Sequence, residues 1–175
     1  MIDISKCKLT KYPAEILKQK AQPIEKIDEG VAALAEKMID IMVESNGIGL
    51  AAPQANLSLR MFVISLEAKK DDAMVFINPK VEALGSLEVM QEGCLSVPGI
   101  YTNIKRAGKV RIIAQALDGS EFTMEADGLL ARCIQHEYDH LEGKTIIDRM
   151  STIGKLKYRK EIEEMINCEQ SKLRM

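Results

Sequence analysis

Along the first third of the chain, Ile24, Ile27, Val31, Leu34, Met38, Ile41 and Met42 recur at three- and four-residue steps, the spacing that gives a helix one apolar face. This pattern predicts a helix over about 24–44. Asn46-Gly47 follows it, two residues suited to the left-handed backbone that ends helices. The next stretch, Ile48-Gly49-Leu50-Ala51-Ala52-Pro53-Gln54, is too apolar for an ordinary surface turn. Short β-like runs come at 61–65, 75–78 and 87–90. Val110, Ile112, Ala114 and Ala116 then alternate with other residues, Asp118-Gly119 supplies a turn, and Phe122, Met124 and Ala126 resume the alternation. That pattern predicts an antiparallel hairpin with one face buried.

A second helix is expected over 128–142, with Asp127 as N-cap and Gly143 just past its end. After Ser151, Ile153, Leu156, Ile162, Met165 and Ile166 predict a C-terminal helical segment over about 151–170. Its first half carries Lys155, Lys157, Arg159 and Lys160, directly followed by Glu161, Glu163 and Glu164. The order helix, strands, helix, terminal helix is that of an α+β protein, and 1–175 is expected to form one domain.

Composition narrows the function classes. A chain of 175 residues, 46% apolar and 29% charged, fits one globular domain. Its core must be aliphatic, because there are three Phe and no Trp. Twenty-four Lys and Arg against 26 Asp and Glu give a net charge of −2, too little field to expect a DNA partner. No apolar run approaches the roughly 18 residues that span a bilayer, and Met1-Ile2-Asp3-Ile4-Ser5 lacks the apolar region of a signal peptide. A cytoplasmic monomer with no membrane partner is the expectation. Cys7, Cys94, Cys133 and Cys168 show no paired spacing, which favours reduced thiols. Cys7 and Cys168, near the termini, read as packing or exposed residues.

Chemistry concentrates in His136-Glu137-Tyr138-Asp139-His140, which holds both histidines of the chain. At i and i+4 on a helix the two imidazoles share a face and can reach one metal ion, with Glu137 between them able to approach a water at that ion. Two ordinary helical histidines are the alternative. A catalytic site of this kind needs a third protein ligand and one open position. Cys133 lies about 10 Å along the helix axis from His140, at about 1.5 Å per residue, too far to share one ion with it, and reads as a buried wall residue. Cys94 is the stronger candidate, because Glu92-Gly93-Cys94-Leu95-Ser96 follows a predicted strand and glycine lets the backbone approach another element closely; its thiolate would suit Fe(II) or Zn(II). Burial for packing alone is the competing reading for it. Gly47-x-Gly49 matches neither a phosphate loop nor a dinucleotide fingerprint. Gln54 could direct its amide at an oxyanion, although the segment taken alone favours a solvated loop glutamine.

Together, Gly47-Ile48-Gly49-Leu50-Ala51-Ala52-Pro53-Gln54, then Glu92-Gly93-Cys94-Leu95-Ser96, then Gln135-His136-Glu137-Tyr138-Asp139-His140-Leu141 resemble the three signature motifs of the peptide deformylases, in the family's order. The likeness extends through Glu125-Ala126-Asp127-Gly128-Leu129-Leu130 and covers most of 1–150. It implies short antiparallel sheets packed around a central metal-binding helix. It also implies removal of the formyl group from N-formylmethionyl nascent peptides, with formate released. The resemblance makes Cys94 the third metal ligand beside His136 and His140, with Fe(II) as the usual ion and Ni, Co or Zn as substitutes. It gives Glu137 the proton transfers, and Gln54 and the backbone N–H of Leu95 the oxyanion. Leu129 and Cys133 lie seven and three residues before His136, on its face of the helix, where they can wall a methionine pocket. The resemblance adds Ile48, Met90 and the backbone near Gly49 to the substrate contacts. Arg132, four residues before His136, reads either as a pocket-rim residue or as a solvated helix arginine. Many relatives carry an arginine shortly after the second motif, where this chain has Gly99-Ile100-Tyr101.

Two other readings share some of these residues. A zincin-type metallopeptidase uses the same helix, but no further histidine is present to complete a familiar protease pattern. A non-catalytic ribosome-binding module would use the basic stretch Lys155–Lys160, yet Cys94, Glu137 and Gln54 are all intact. By analogy with bacterial relatives, the basic segment could instead dock an active enzyme on the ribosome.

Overall fold

The computed structural model describes residues 2–173, with side chains through Glu169. Helix α1 spans Glu29–Glu44 and is followed by strands β1 (Gly49–Ala51), β2 (Met61–Ile64), β3 (Met74–Cys94), β4 (Val97–Gln115) and β5 (Glu121–Asp127). Helix α2 spans Gly128–Leu141, and α3 (Ile146–Arg149), α4 (Thr152–Lys157) and α5 (Arg159–Leu173) complete the chain. The strands form one antiparallel sheet in the order β1-β2-β3-β4-β5. The α+β arrangement around helix α2 is therefore present, with one sheet holding two long strands, β3 and β4, in place of several short sheets.

Strand β2 shows how the layers assemble. Alternate side chains leave a strand on opposite faces, and all four residues of β2 are buried. Phe62 and Ile64 join Phe76, Val110, Ile112 and α2 residues Ala131 and Ile134 in one apolar cluster. Met61 and Val63 join Leu50, Ile77 and α1 residues Leu34, Met38 and Met42 in a second. The sheet is thus sandwiched between α1 and α2 at this strand. A third cluster joins Val97, Ile100 and Ile104 of β4 to Ile146, Ile147 and Met150, with Tyr158, Ile162 and Met165 packed against it. No helix among the described residues is long and apolar enough to cross a membrane.

The predicted first helix begins at Glu29 rather than near residue 24, for an identifiable reason. The Asn78 side chain takes both backbone groups of Ile24: its Oδ1 accepts from Ile24 N–H and its Nδ2 donates to Ile24 C=O, each at 2.8 Å. Asp28 caps α1 instead, accepting from the N–H groups of Gly30 and Val31. At the other end Asn46 is left-handed, with φ 53°, as its position predicts. The runs expected at 75–78 and 87–90 belong to a single strand, β3, because register shifts at Ile77/Lys80 and Leu84/Leu87 absorb the irregularities without ending the pairing with β4. The expected hairpin corresponds to β4 and β5, with Val110 opposite Ala126 and Ile112 opposite Met124. Asp127 occupies the N-cap position of α2, although its side chain makes no capping bond. The C-terminal segment is broken at Tyr158 into α4 and α5.

Asn78 Nδ2 also donates to Gln115 Oε1 at 2.8 Å, and Asn78 itself holds a left-handed φ of 49°. Asn78→Ala removes three hydrogen bonds and leaves alanine in a backbone region that suits it less. It should lower unfolding stability in urea by about 2–4 kcal/mol. A loss below about 0.5 kcal/mol would contradict this role for the residue.

Candidate metal centre

Helix α2 projects His136, Glu137 and His140 toward the last residues of β3, where Cys94 lies. The Cys94 Sγ is 3.4 Å from His140 Nε2, and one ligand atom from each of Cys94, His136 and His140 lies within 4.8 Å of the others. Electron-pair donors held this close repel one another unless a proton or cation sits among them. One thiolate and two imidazoles suit a borderline-soft divalent ion and leave a fourth position open. Two buried polar atoms, His140 Nδ1 and Glu137 Oε2, have no hydrogen-bond partner among the described residues. The three residues predicted to bind a metal are thus brought together, and their donor set fits one.

Close approach builds the rest of the site. The β1 backbone at Gly49 lies so close to Glu137 that any Cβ there would collide with the carboxylate. Burial pushes the Glu137 carboxyl up to about 7, against the charges of His136 and Arg106, while Glu92 and Asp139 push it the same way as burial. Gln54 follows in a short 3-10 helix, Ala52–Ala55. It is 1% exposed, so the solvated loop glutamine favoured by its segment alone is not what forms. Its Oε1 accepts from Ala51 N–H at 2.8 Å and its Nε2 donates to Cys94 Sγ at 3.5 Å. The carbonyl end is held by the backbone, and the amide end is thereby turned toward the metal ligands.

A cleft of roughly 510 Å³ opens beside these groups, and Ile48, Gly49, Met90, Leu95, Leu129 and Cys133 are among its lining residues. Cys133 is buried, and burial pushes its thiol up to about 12. It is a neutral wall residue, as its distance along the helix predicts. Arg132 also lines the cleft but is only 4% exposed, which excludes the solvated alternative.

Arg132 belongs to a buried charge network that sequence reasoning did not find. Glu92 Oε1 accepts from Arg132 Nη1 at 2.7 Å and Arg106 Nε at 2.8 Å, and its Oε2 accepts from Arg106 Nη2 at 3.0 Å. The same Oε2 lies 3.0 Å from His136 Nδ1. Arg106 continues to Asp139 at 2.7 Å, and Asp139 accepts from Arg149 Nε at 2.9 Å. Burial alone would raise the Glu92 carboxyl. His136 and the Arg106 guanidinium outweigh it and hold Glu92 at about 2, against an ordinary value of 4.5. Its ionisation therefore stabilises the fold fully above about pH 4.5, and this contribution is lost as pH falls toward 2. His140 is kept neutral, well below its usual value, by burial and by the charges of His136 and Arg106. One clue to the network was available, since Arg106 is a charged residue in phase with the buried Thr102 and Ile104.

The family model for polypeptide deformylase matches residues 6–156. The peptide deformylase of Azotobacter vinelandii is 47% identical over 157 residues, 89% of this chain and 94% of that protein. That of Pseudomonas aeruginosa is 45% identical over the same shares of the two chains. Among solved structures, peptide deformylase from Plasmodium falciparum superposes with a TM-score of 0.91 at 36% identity, covering 94% of this chain and 98% of that one. A plant peptide deformylase gives a TM-score of 0.93 at 35% identity, covering 97% and 94%.

Glu92→Gln keeps the shape of the residue but removes the charge that orients His136 and neutralises the two arginines. Partners of this kind typically contribute 10- to 100-fold in metal affinity. Competition with a chromophoric chelator should show Ni(II) held about 10- to 100-fold more weakly by the variant, and equal affinity would refute the orienting role of Glu92.

Proposed function

The chain belongs to the polypeptide deformylase family, metal-dependent hydrolases that remove the formyl group from nascent polypeptides, and we propose how its own residues carry out that reaction on N-formylmethionyl chains, with release of formate. The observation that supports the assignment of roles most directly is the convergence of Cys94, His136 and His140, with Glu137 and Gln54 beside them.

Cys94, His136 and His140 would hold one divalent cation. Fe(II) is the native ion in this proposal, and Ni, Co or Zn can substitute. Such a cation, when bound, supplies a Lewis acid that acidifies water and polarises a carbonyl. Glu137 accepts a proton from the attacking water and returns it to the departing amine. A carboxyl pushed to about 7 suits both transfers, because proton exchange is most effective near the working pH. Gln54 Nε2 and the backbone N–H of Leu95 donate to the oxyanion that develops on the formyl oxygen. The methionine side chain enters the cleft among Ile48, Met90, Leu129 and Cys133, while backbone near Gly49 binds the peptide. A neutral Cys133 keeps that wall apolar.

Residues 1–175 act in this reading as one catalytic domain, a monomer of the cytoplasm. Lys155, Lys157 and Lys160 are all exposed on the C-terminal helices and are proposed to bind ribosomal RNA near the emerging chain. Reversing all three to Glu should reduce co-sedimentation with ribosomes most strongly at low salt. Unchanged co-sedimentation would exclude this docking mode.

Formate release from a short N-formylmethionyl peptide tests the roles in the reaction. Glu137→Ala should lower kcat/KM by about 10²- to 10⁴-fold, the usual contribution of a general acid–base group. Gln54→Leu should lower it by about 10²- to 10³-fold, the usual contribution of one oxyanion donor. Near-wild-type rates in either variant would contradict the assigned role, and cleavage of an unblocked internal peptide would point to a metallopeptidase instead.

A further inference from the structure

One wall of the cleft is built from backbone at an interruption of the β3–β4 register. Along β3 and β4, Glu92 pairs with Thr102 and Cys94 pairs with Val97. The single residue Gly93 therefore faces the four residues 98–101, none of which has a cross-strand partner in that register. Gly99, with φ 81°, turns this bulge, and Pro98, Gly99, Ile100 and Tyr101 all line the cleft. Tyr101 is 59% exposed, yet its ring lies against Gly93, where a Cβ would come within 2.7 Å of Cε1. The rim thus places an exposed aromatic ring one residue away from the metal-ligand position Cys94.

Two contacts fix this rim, one from within and one from the C-terminal segment. Ile100 is buried in the cluster formed with Ile146, Ile147 and Met150. On the other side of the bulge, the hydroxyl of Tyr158 donates to the backbone C=O of Tyr101 at 2.7 Å. Tyr158 sits at the break between α4 and α5, half-buried against the same cluster that packs on Cys94. Gly154 of α4 lies close to Thr102, at the base of the bulge, where an added Cβ would be 3.1 Å from Oγ1. The C-terminal helices therefore touch the rim at two successive residues.

We propose that Tyr158 is a positioning residue of the enzyme, which fixes the rim at 98–101 so that Tyr101 meets the residues following methionine in the nascent chain. The inference rests on the deformylase reading above and extends it from the formyl-methionine end of the substrate to the next few residues. Tyr158 does not touch the substrate. It acts through one hydrogen bond on backbone where the β3–β4 register is interrupted, so its removal loosens the rim without disturbing the metal ligands. The contact ties the C-terminal segment, proposed above as a surface for docking, to the rim of the substrate cleft.

The test uses the full-length, metal-loaded protein and Tyr158→Phe, which deletes the hydroxyl and retains the ring. Amide hydrogen exchange at residues 99–102 should speed up about 3- to 10-fold in the variant, the effect of one lost hydrogen bond, while α1 amides exchange as before. In parallel, KM for a formylmethionyl pentapeptide should rise by about 3- to 10-fold relative to KM for formyl-Met-Ala, with the ratio of their kcat values unmoved. Unchanged exchange at 99–102, or KM values that move together for the two substrates, would overturn the proposal. Wild-type protein that released formate from neither substrate would refute the deformylase reading itself, and the exchange measurement would still decide whether Tyr158 holds the rim.

Discussion

The site depends on one buried carboxylate. Cys94, His136 and His140 come from two elements that meet at an angle, and nothing in the backbone alone aims an imidazole at a thiolate. Glu92 supplies that aim. It sits two residues before Cys94 on β3, lies 3.0 Å from His136 Nδ1, and thereby leaves the opposite ring nitrogen facing the cysteine. Placing a carboxylate there is costly in isolation. Arg106 and Arg132 offset the cost, and Arg106 extends the pairing through Asp139 to Arg149. The chain of charges links β3, β4, α2 and α3, so that the metal helix, the cysteine strand and the segment after the helix are held in one geometry.

This constraint also explains the burial around Glu137. The sheet is closed on both faces at β2 by α1 and α2. The same packing brings β1 against Glu137 closely enough that only glycine fits at position 49. Desolvation then pushes the carboxyl up to about 7. A rigid apolar sandwich and a paired polar network thus serve one purpose, the first setting proton affinity and the second setting ligand direction.

Much of this was legible in the sequence, but unevenly. The α1 face and the His136–His140 pair could be seen because both are periodic within one helix. The start of α1 could not, since Ile24 and Ile27 continue the apolar rhythm while a side chain from 54 residues away occupies the backbone of Ile24. Strands β3 and β4 were seen only in part. The irregularities near Pro79 and Gly85 read as breaks but are absorbed by register shifts rather than ending a strand. Local spacing left Cys94 and Gln54 open, and the motif resemblance supplied their roles. The network of Glu92, Arg106, Arg132, Asp139 and Arg149 left only the phase of Arg106 on its strand as a trace, because it exists only once four elements have met. The rim at 98–101 escaped for the opposite reason, as a bulge has no period to read.

The central claim is that one ion, held by Cys94, His136 and His140, makes this chain a deformylase. The most direct measurement is a titration of metal-stripped protein with Ni(II) under anaerobic conditions, following formate release from a formylmethionyl peptide at each addition. The account predicts a rate that rises linearly and breaks sharply at one ion per chain. A protein that takes up one ion per chain and still releases no formate would contradict it.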